Sequence, residues 1–425
     1  RHFTWAWHTV IMGTGIISSV IQNFPYHNGS MGLKIMTIFF FLLNLVLFVF
    51  VITMTILRYV VYPKVWSKMI AHPAHSLFIG ALPMGIATLL NAGAVSSLHM
   101  SGGIASKAFI WTLWAFWWVD SGIAILITFG MLYAMMEYQE HSISTSTTAW
   151  LIPTATLVVV SSTGGLMANA LKEQSHTIAL VTSGFALGML LIGLSFTFIF
   201  MCVYATRLIT SGIPNASLIL SSFITLGPLG QGGFSLLVNG QNFADLLVFH
   251  IPTSDPPLIA NAGQMVFAAC FVGAYALWAT GIAWIIIACI AVWHVRREHA
   301  LPFNMAYWGL VFPFGTFALL SLQFGKVLDS GFFRAFGTFW SVVVWLLWLF
   351  VFVRSIPSFI DGSMFLAPYL VETTPPAVIR SSQQGSRHDL EKAVQNGGSQ
   401  GTLPANAQDG NKDEFELKLE DRSQS

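Results

Sequence analysis

The sequence predicts an all-α polytopic membrane protein of ten transmembrane helices, arranged as five helical hairpins with the odd helices broken around a central path. Three observations carry this. Apolar residues make up 55% of the chain and charged residues only 9%, whereas soluble domains carry roughly a quarter charged. Apolar runs of the ~20 residues that cross a bilayer recur along most of the length. Every second run carries helix breakers or a small polar cluster near its middle.

In order, the runs are 3–23, 31–57, 75–99, 107–135, 149–171, 177–209, 215–239, 257–294, 304–325 and 332–354. The even runs are long and uniformly apolar. The odd ones differ. Span one holds Met12-Gly13-Thr14-Gly15, span three Leu82-Pro83-Met84-Gly85, and span five Ser161-Ser162-Thr163-Gly164-Gly165. Span seven holds Gly227-Pro228-Leu229-Gly230-Gln231-Gly232-Gly233, and span nine Phe312-Pro313-Phe314-Gly315-Thr316. The spacing reads as a weak hairpin repeat, one broken helix and one long one, five times over. Proline removes a backbone hydrogen bond, and broken backbone is tolerated in lipid only where protein or a watery cavity covers it. The expectation is five odd helices inside five even ones. Glycine for close helix packing is the competing reading of each motif.

Arg58, Lys64, Lys68, Arg207, Arg296, Arg297 and Arg354 follow even spans, and Lys34, Lys107, Lys172, Lys326 and Arg334 lie at the other side. The bias favours cytoplasmic N- and C-termini. The Asn28-Gly29-Ser30 sequon then faces outside and Asn215-Ala216-Ser217 faces the cytoplasm. Cys202, Cys270 and Cys289 read as small hydrophobes. The chain begins with Arg1, so some N-terminal sequence is expected to be missing, and the first apolar run reads as a true helix and not a cleaved leader. The expected organisation is a transmembrane domain over 1–355, a juxtamembrane segment over 356–371 and a disordered cytoplasmic tail over 372–425, where Ser, Gln, Gly, Asn and charge replace apolar residues.

The net charge of +1, with no basic stripe, offers nothing to nucleic acid. No odd span has Lys, Arg, Asp or Glu at its middle. Its polar side chains are neutral: Thr14, Thr88, Asn91, Ser161, Ser162, Thr163, Asn169, Gln231, Thr316 and Ser321. Cation filters use acidic rings, and proton relays use intramembrane carboxylates or histidines in series. A small anion suits this lining, because freed N–H groups and helix N-termini attract it weakly; a neutral solute suits it too. Asp120 in Trp117-Trp118-Val119-Asp120 is the one carboxylate well inside a span. It is a functional candidate by position or a structural hydrogen-bonding group. His72-x-x-His75 has metal-like spacing but no third ligand nearby, and reads as an interfacial loop. Neither a metal nor a cofactor is expected, and nothing clusters as an enzyme's site would.

These blocks in this order resemble the fungal sulfite efflux pumps, the Ssu1 group of the tellurite-resistance/dicarboxylate transporter family, which is related to the plant slow-type anion channels. The resemblance covers about residues 5–355. It rests on Met12-Gly13-Thr14-Gly15-Ile16 with Phe24-Pro25-Tyr26, on Pro83-Met84-Gly85, Trp117-Trp118-Val119-Asp120 and Ser161-Ser162-Thr163-Gly164. It rests most of all on Leu226-Gly227-Pro228-Leu229-Gly230-Gln231-Gly232 and Trp308-Gly309-Leu310-Val311-Phe312-Pro313-Phe314-Gly315-Thr316. It implies a quasi-fivefold bundle with one pore per protomer, a homotrimer, and a plasma-membrane exporter of sulfite or bisulfite that confers sulfite resistance. It also implies a pore gate at Phe312, before the span-nine proline. Phe234 is a second candidate constriction. The pore-lining set is then Gly13, Thr14, Gly15, Pro83, Gly85, Asn91, Ser161, Ser162, Thr163, Gly164, Pro228, Gly230, Gln231, Pro313, Gly315 and Thr316. Another anion, such as malate, nitrate or chloride, is the alternative cargo.

Overall fold

The computed structural model describes residues 2–98, 104–250 and 261–362, the side chains of 95–98 and 104–106 excepted. Residue 99 of the third run, 257–260 of the eighth, 363–371 of the juxtamembrane segment and the 372–425 tail lie outside the described residues. Ten long helices run in order: α1 (His8–Gln22), α2 (Met31–Val61), α3 (Ala81–Leu98), α4 (Ile104–Glu137), α5 (Ile152–Leu171), α6 (His176–Ser211), α7 (Leu226–Leu246), α8 (Ala262–Glu298), α9 (Trp308–Val327) and α10 (Gly331–Ile360). A short helix, Lys64–Ile70, which hydropathy did not mark, leads from α2 towards α3. Among the described residues eight helical stretches are long and apolar enough to cross a membrane. The chain is a multi-pass membrane protein. The helices outside that group are α1, which is short, and α7, which is interrupted by glycine, glutamine and asparagine.

Two nested rings organise the helices. α1 packs on α3, α3 on α5, α5 on α7, α7 on α9 and α9 back on α1, which closes a ring of five. Each even helix covers the seam between the odd helices before and after it, with α10 closing over α9 and α1. Between 78 and 94% of the apolar window is buried in α3, α5 and α9, against 22 to 39% in the even helices. The even helices turn the rest outward as long apolar faces, the surface a bilayer solvates.

The inner helices all run the same way, as short antiparallel hairpins require. Matching contacts rise together along each pair. A Cβ on Gly13 would meet Val311, and one on Gly315 would meet Ile16; Gly227 faces Pro313, Gly230 faces Thr316 and Gly233 faces Leu320. Five N-termini therefore gather at one end of the ring and five C-termini at the other.

The expected breaks fall elsewhere than mid-helix. Each odd helix opens with a 3-10 turn that passes directly into α-helix: Trp5–Trp7, Ser76–Gly80, Thr148–Leu151, Ile219–Thr225 and Met305–Tyr307. Pro83 and Pro228 are third residues of their helices and Pro153 is second. Their missing N–H groups belong to the first turn, which has no i−4 partner inside the helix. Pro313 alone lies deeper, as an internal proline of α9. The seventh span also ends later than its hydropathy implies, because the polar run Asn239-Gly240-Gln241-Asn242 continues the helix in protein surroundings.

Indole donors tie the outer ring to the inner. Trp348 Nε1 donates to Thr14 Oγ1 at 3.1 Å, Trp278 Nε1 to Ser321 Oγ at 3.1 Å, and Trp117 Nε1 to the Val160 carbonyl at 2.9 Å. Asn44 Nδ2 of α2 donates to Thr88 Oγ1 at 3.2 Å. Burying an indole needs such a partner for its N–H.

Candidate functional site

Two cavities open inside the inner ring, one towards each end. At the N-terminal end an apolar cavity of about 30 Å³ is lined from all five odd hairpins, by Thr9, Met12, Phe78, Met84, Val159, Pro228, Phe312 and their neighbours. It is room for about one water, at roughly 30 Å³ each. At the C-terminal end a polar vestibule of about 700 Å³ is lined by Gln22, Asn23, Asn169, Gln241, Gln323, Lys326 and others. Phe312 borders the small cavity and Phe234 the large one, each at most 4% exposed.

Helical periodicity shows what lies between them. Residues seven apart share a face. Ser19 is seven beyond Met12, Asn91 seven beyond Met84, Ser162 seven beyond Ala155, and Gln231 one turn, four residues, beyond Gly227, all four reference residues lining the small cavity. Gln231 Nε2 donates to Ser162 Oγ and Gly230 abuts Thr316 of α9, which brings α5, α7 and α9 together at this level; helical spacing from the small cavity sets Ser19 of α1 and Asn91 of α3 at the corresponding step. They form a polar collar between Phe312 and Phe234. Three of its atoms, Ser19 Oγ, Asn91 Oδ1 and Gln231 Oε1, are buried with no hydrogen-bond partner. Buried polar atoms in such a state cost free energy unless water or a solute meets them. Among the described residues no ionisable side chain shares the collar, so these four residues can hold a small solute through dipoles only.

The expected lining residues divide in two. Asn91, Ser162, Gln231, Pro228 and Pro313 lie along the collar or the small cavity. Others turn away from the axis. Thr14 accepts from Trp348, and Thr316 Oγ1 donates to the Pro313 carbonyl at 2.8 Å, with the Leu226 and Gly227 carbonyls at 3.3 and 3.4 Å. Ser161 Oγ meets Ser235 Oγ at 2.8 Å in the α5–α7 seam, and Thr163 Oγ1 bonds back to Val159. The glycines mark seams as well. A Cβ on Gly15 would strike Asn44 at 2.5 Å, on Gly85 Ile11 at 3.1 Å, on Gly164 the Trp117 ring at 2.5 Å, and on Gly315 Ile16 at 2.5 Å. Close packing explains these glycines, and Pro83 is a first-turn residue of α3.

Asp120 is 1% exposed, and neither carboxyl oxygen has a hydrogen-bond partner. It lies on α4 between Trp117 and Ala124, both of which bond across to α5, and so belongs to the wall and not to the axis. His72 Nδ1 accepts from the backbone N–H groups of Ala74 and His75, both at 3.2 Å, which closes the turn before α3. Burial, then the neighbouring His72 and Arg58, lowers the pKa of His75 to about 4.

Residues that motif reading passed over are Ser19, Gln22, Ser235, Asn239 and Asn242. Asn239 Nδ2 donates to Ser235 Oγ at 3.1 Å, Ser183 Oγ to Asn239 Oδ1 at 3.0 Å, and Asn242 Nδ2 to the Gly165 carbonyl at 2.8 Å. Their signal was the i, i+4 spacing of polar residues just past the glycine run.

The chain is similar to known membrane transport proteins. The sulfite efflux pump SSU1 of Arthroderma otae is 32% identical over 84% of this chain and 90% of its own length. That of Trichophyton rubrum is 31% identical with the same coverage. A malic acid transport protein of Schizosaccharomyces pombe is more distant, at 21% over 84% of this chain and 78% of its own. The SLAC1 family model, described as voltage-dependent anion channel, matches residues 2–356. That match covers nearly the whole membrane part, and this chain belongs to the SLAC1 family.

Proposed function

We propose that this chain exports sulfite or bisulfite across the plasma membrane along the axis of the inner ring, and so confers sulfite resistance. The observation that carries the reading is the collar of Ser19, Asn91, Ser162 and Gln231, held between Phe312 and Phe234 and free of fixed charge. The names of the fungal relatives supply the cargo. All ten helices cross the bilayer in this reading, with both termini cytoplasmic. The active form is a homotrimer with one independent path per protomer, and residues 372–425 form a cytoplasmic tail.

Five N-termini face the small cavity, and each is worth ~0.3–1 kcal/mol to an anion. The anion therefore gathers on the cytoplasmic side, beneath Phe312. The phenyl ring fills the narrowest part of the path and must turn aside for passage. Beyond it, the Ser19 hydroxyl can donate to the anion, while Asn91 Oδ1 and Gln231 Oε1 accept from the water that travels with it or from the bisulfite proton, which holds the solute without tight binding. Desolvation grows steeply with charge, so the monovalent bisulfite is the moving species, driven outward by the inside-negative potential. A dicarboxylate such as malate would call for fixed cations along the path, and the collar holds none.

Efflux from proteoliposomes loaded with sulfite, nitrate, chloride or malate tests this. Sulfite should leave fastest, Phe312→Ala should accelerate it, and the rate should fall as pH rises through neutrality. Malate or chloride moving as fast as sulfite would refute the cargo. An unchanged rate in Phe312→Ala would refute the gate, and a rate that climbs with pH would refute bisulfite.

A further inference from the structure

The polar vestibule holds a cation that the export path as described does not use. Lys326 lies in the last turn of α9 and its ammonium donates to Asn23 Oδ1 at 2.6 Å, across to the end of α1. That partner is neutral. The other lysine of the vestibule, Lys172, is paired with Asp245 at 3.1 Å. Arg334, packed beside Gly325, is paired with Asp329 at 2.9 Å. Among the described residues no carboxylate lies within ion-pair distance of Lys326.

Its surroundings suit an anion's hydrogen bonds. Gln22, Asn23, Asn169, Asn242 and Gln323 share the cavity wall. An oxyanion accepts N–H groups: Gln323 Nε2 spends one on Gln241 Oε1 at 3.1 Å and Asn23 Nδ2 spends one on the Ser19 carbonyl at 2.9 Å, so each amide has a second hydrogen to give. About 700 Å³ admits an oxyanion of three or four oxygens together with part of its water shell.

Electrostatics explains why a cation belongs there. Four odd helices, α1, α5, α7 and α9, end around the vestibule, each with a partial negative charge on its free carbonyls. The alignment that draws an anion to the small cavity would repel it here. The collar carries no charge to soften that rise, and Lys172 is already neutralised by Asp245. Lys326 is the compensating charge.

We propose that the vestibule is a second anion site, centred on Lys326 with Asn23 and Gln323, that takes a small oxyanion at the exit end of the path. Its place in transport rests on the export reading; its existence as a binding site does not.

Anion binding by the full-length protein in detergent tests it. Sodium sulfite and sodium sulfate are titrated at constant ionic strength against sodium chloride, and thermal stability is the readout. The native protein and Lys326→Arg should show saturable stabilisation. Lys326→Gln and Lys326→Met should need at least tenfold more anion, while Lys34→Gln, at the same end but outside the vestibule, should match the native protein. Equal midpoints in the native protein and both neutral variants would overturn the proposal, as would native protein that responds no differently to sulfate than to chloride. Vesicle efflux separates the two readings. Saturable binding lost in Lys326→Gln, in a protein that moves no sulfite, refutes export and keeps the site. Sulfite export with unchanged anion binding in the neutral variants refutes the site and keeps export.

Discussion

Gly230 of α7 stands against the backbone of α9 where Thr316 passes into Phe317: a Cβ atom there would lie 2.7 Å from the Thr316 carbonyl carbon and 2.6 Å from the Phe317 nitrogen. Neither atom can move without parting two helices of the inner ring. Gly230→Ala should therefore lower thermal stability by roughly 1–3 kcal/mol, the usual cost of overpacking. Gly122→Ala on α4, where the added carbon meets nothing within 4 Å, should be neutral or stabilising by up to ~1 kcal/mol. Thermal unfolding of the two variants in detergent compares them; equal midpoints would remove close approach as the reason for the glycine.

Phe312 and Phe234 border different cavities on one axis. Constrictions in series are governed by the narrower. Phe234→Ala alone should change sulfite efflux by less than about twofold, because the rate remains set at Phe312, whose cavity has room for only about one water. The double alanine variant should exceed Phe312→Ala. Stopped-flow efflux from vesicles checks both, and a double variant no faster than the single one would leave Phe234 as packing.

Gln231 holds Ser162 through its amide nitrogen and leaves its oxygen unpartnered towards the collar. Gln231→Glu is nearly isosteric but sets a carboxylate in the anion's way. At 4 Å and an effective dielectric of ~20 the repulsion is about 4 kcal/mol. Anion efflux should fall more than tenfold with trafficking intact, and anion flux equal to native would remove Gln231 from the path.

Asp120 is enclosed by α4 and its neighbours with no donor reaching either oxygen. An unpaired ionised carboxylate there would be costly, so a neutral isostere should fit. Asp120→Asn should keep stability and sulfite flux within about twofold of native, measured by unfolding and vesicle efflux. Loss of flux in a stable Asn variant would show that the acid itself takes part in transport.

In the structure the third membrane span begins at Ser76, which leaves His75 in the turn just ahead of it, and its pKa is lowered from the usual 6.5 to about 4, chiefly by burial and then by His72 and Arg58. Between those values the unfolded chain takes up a proton that the folded chain refuses. Stability is thus lost as pH falls from about 6.5 towards 4, by up to about 3 kcal/mol in total. His75→Gln should flatten that part of the pH profile of the melting temperature and leave the profile above pH 7 unchanged.

Much of this was legible in the chain itself. Hydropathy marked ten spans, and breakers in alternate spans separated inner from outer helices, because a helix enclosed by protein can carry glycine, proline and amides that lipid would penalise. Motif order pointed to the family, and only that resemblance singled out Phe312 among 35 phenylalanines, while Asn91, Ser162 and Gln231 stood out as neutral polar residues inside odd spans. Other things depended on which neighbour each face meets, a property of the assembled ring. Thr14 and Thr316 look as polar in sequence as Gln231, yet an indole claims one and three carbonyls claim the other. The prolines look like mid-helix breaks, yet 3-10 turns move the helix starts so that most of them fall in a first turn. Local sequence determined what each helix could tolerate. The collar, the paired cavities and the uncompensated charge of Lys326 were decided by tertiary structure, because they exist only where five helices from distant parts of the chain stand side by side at one level.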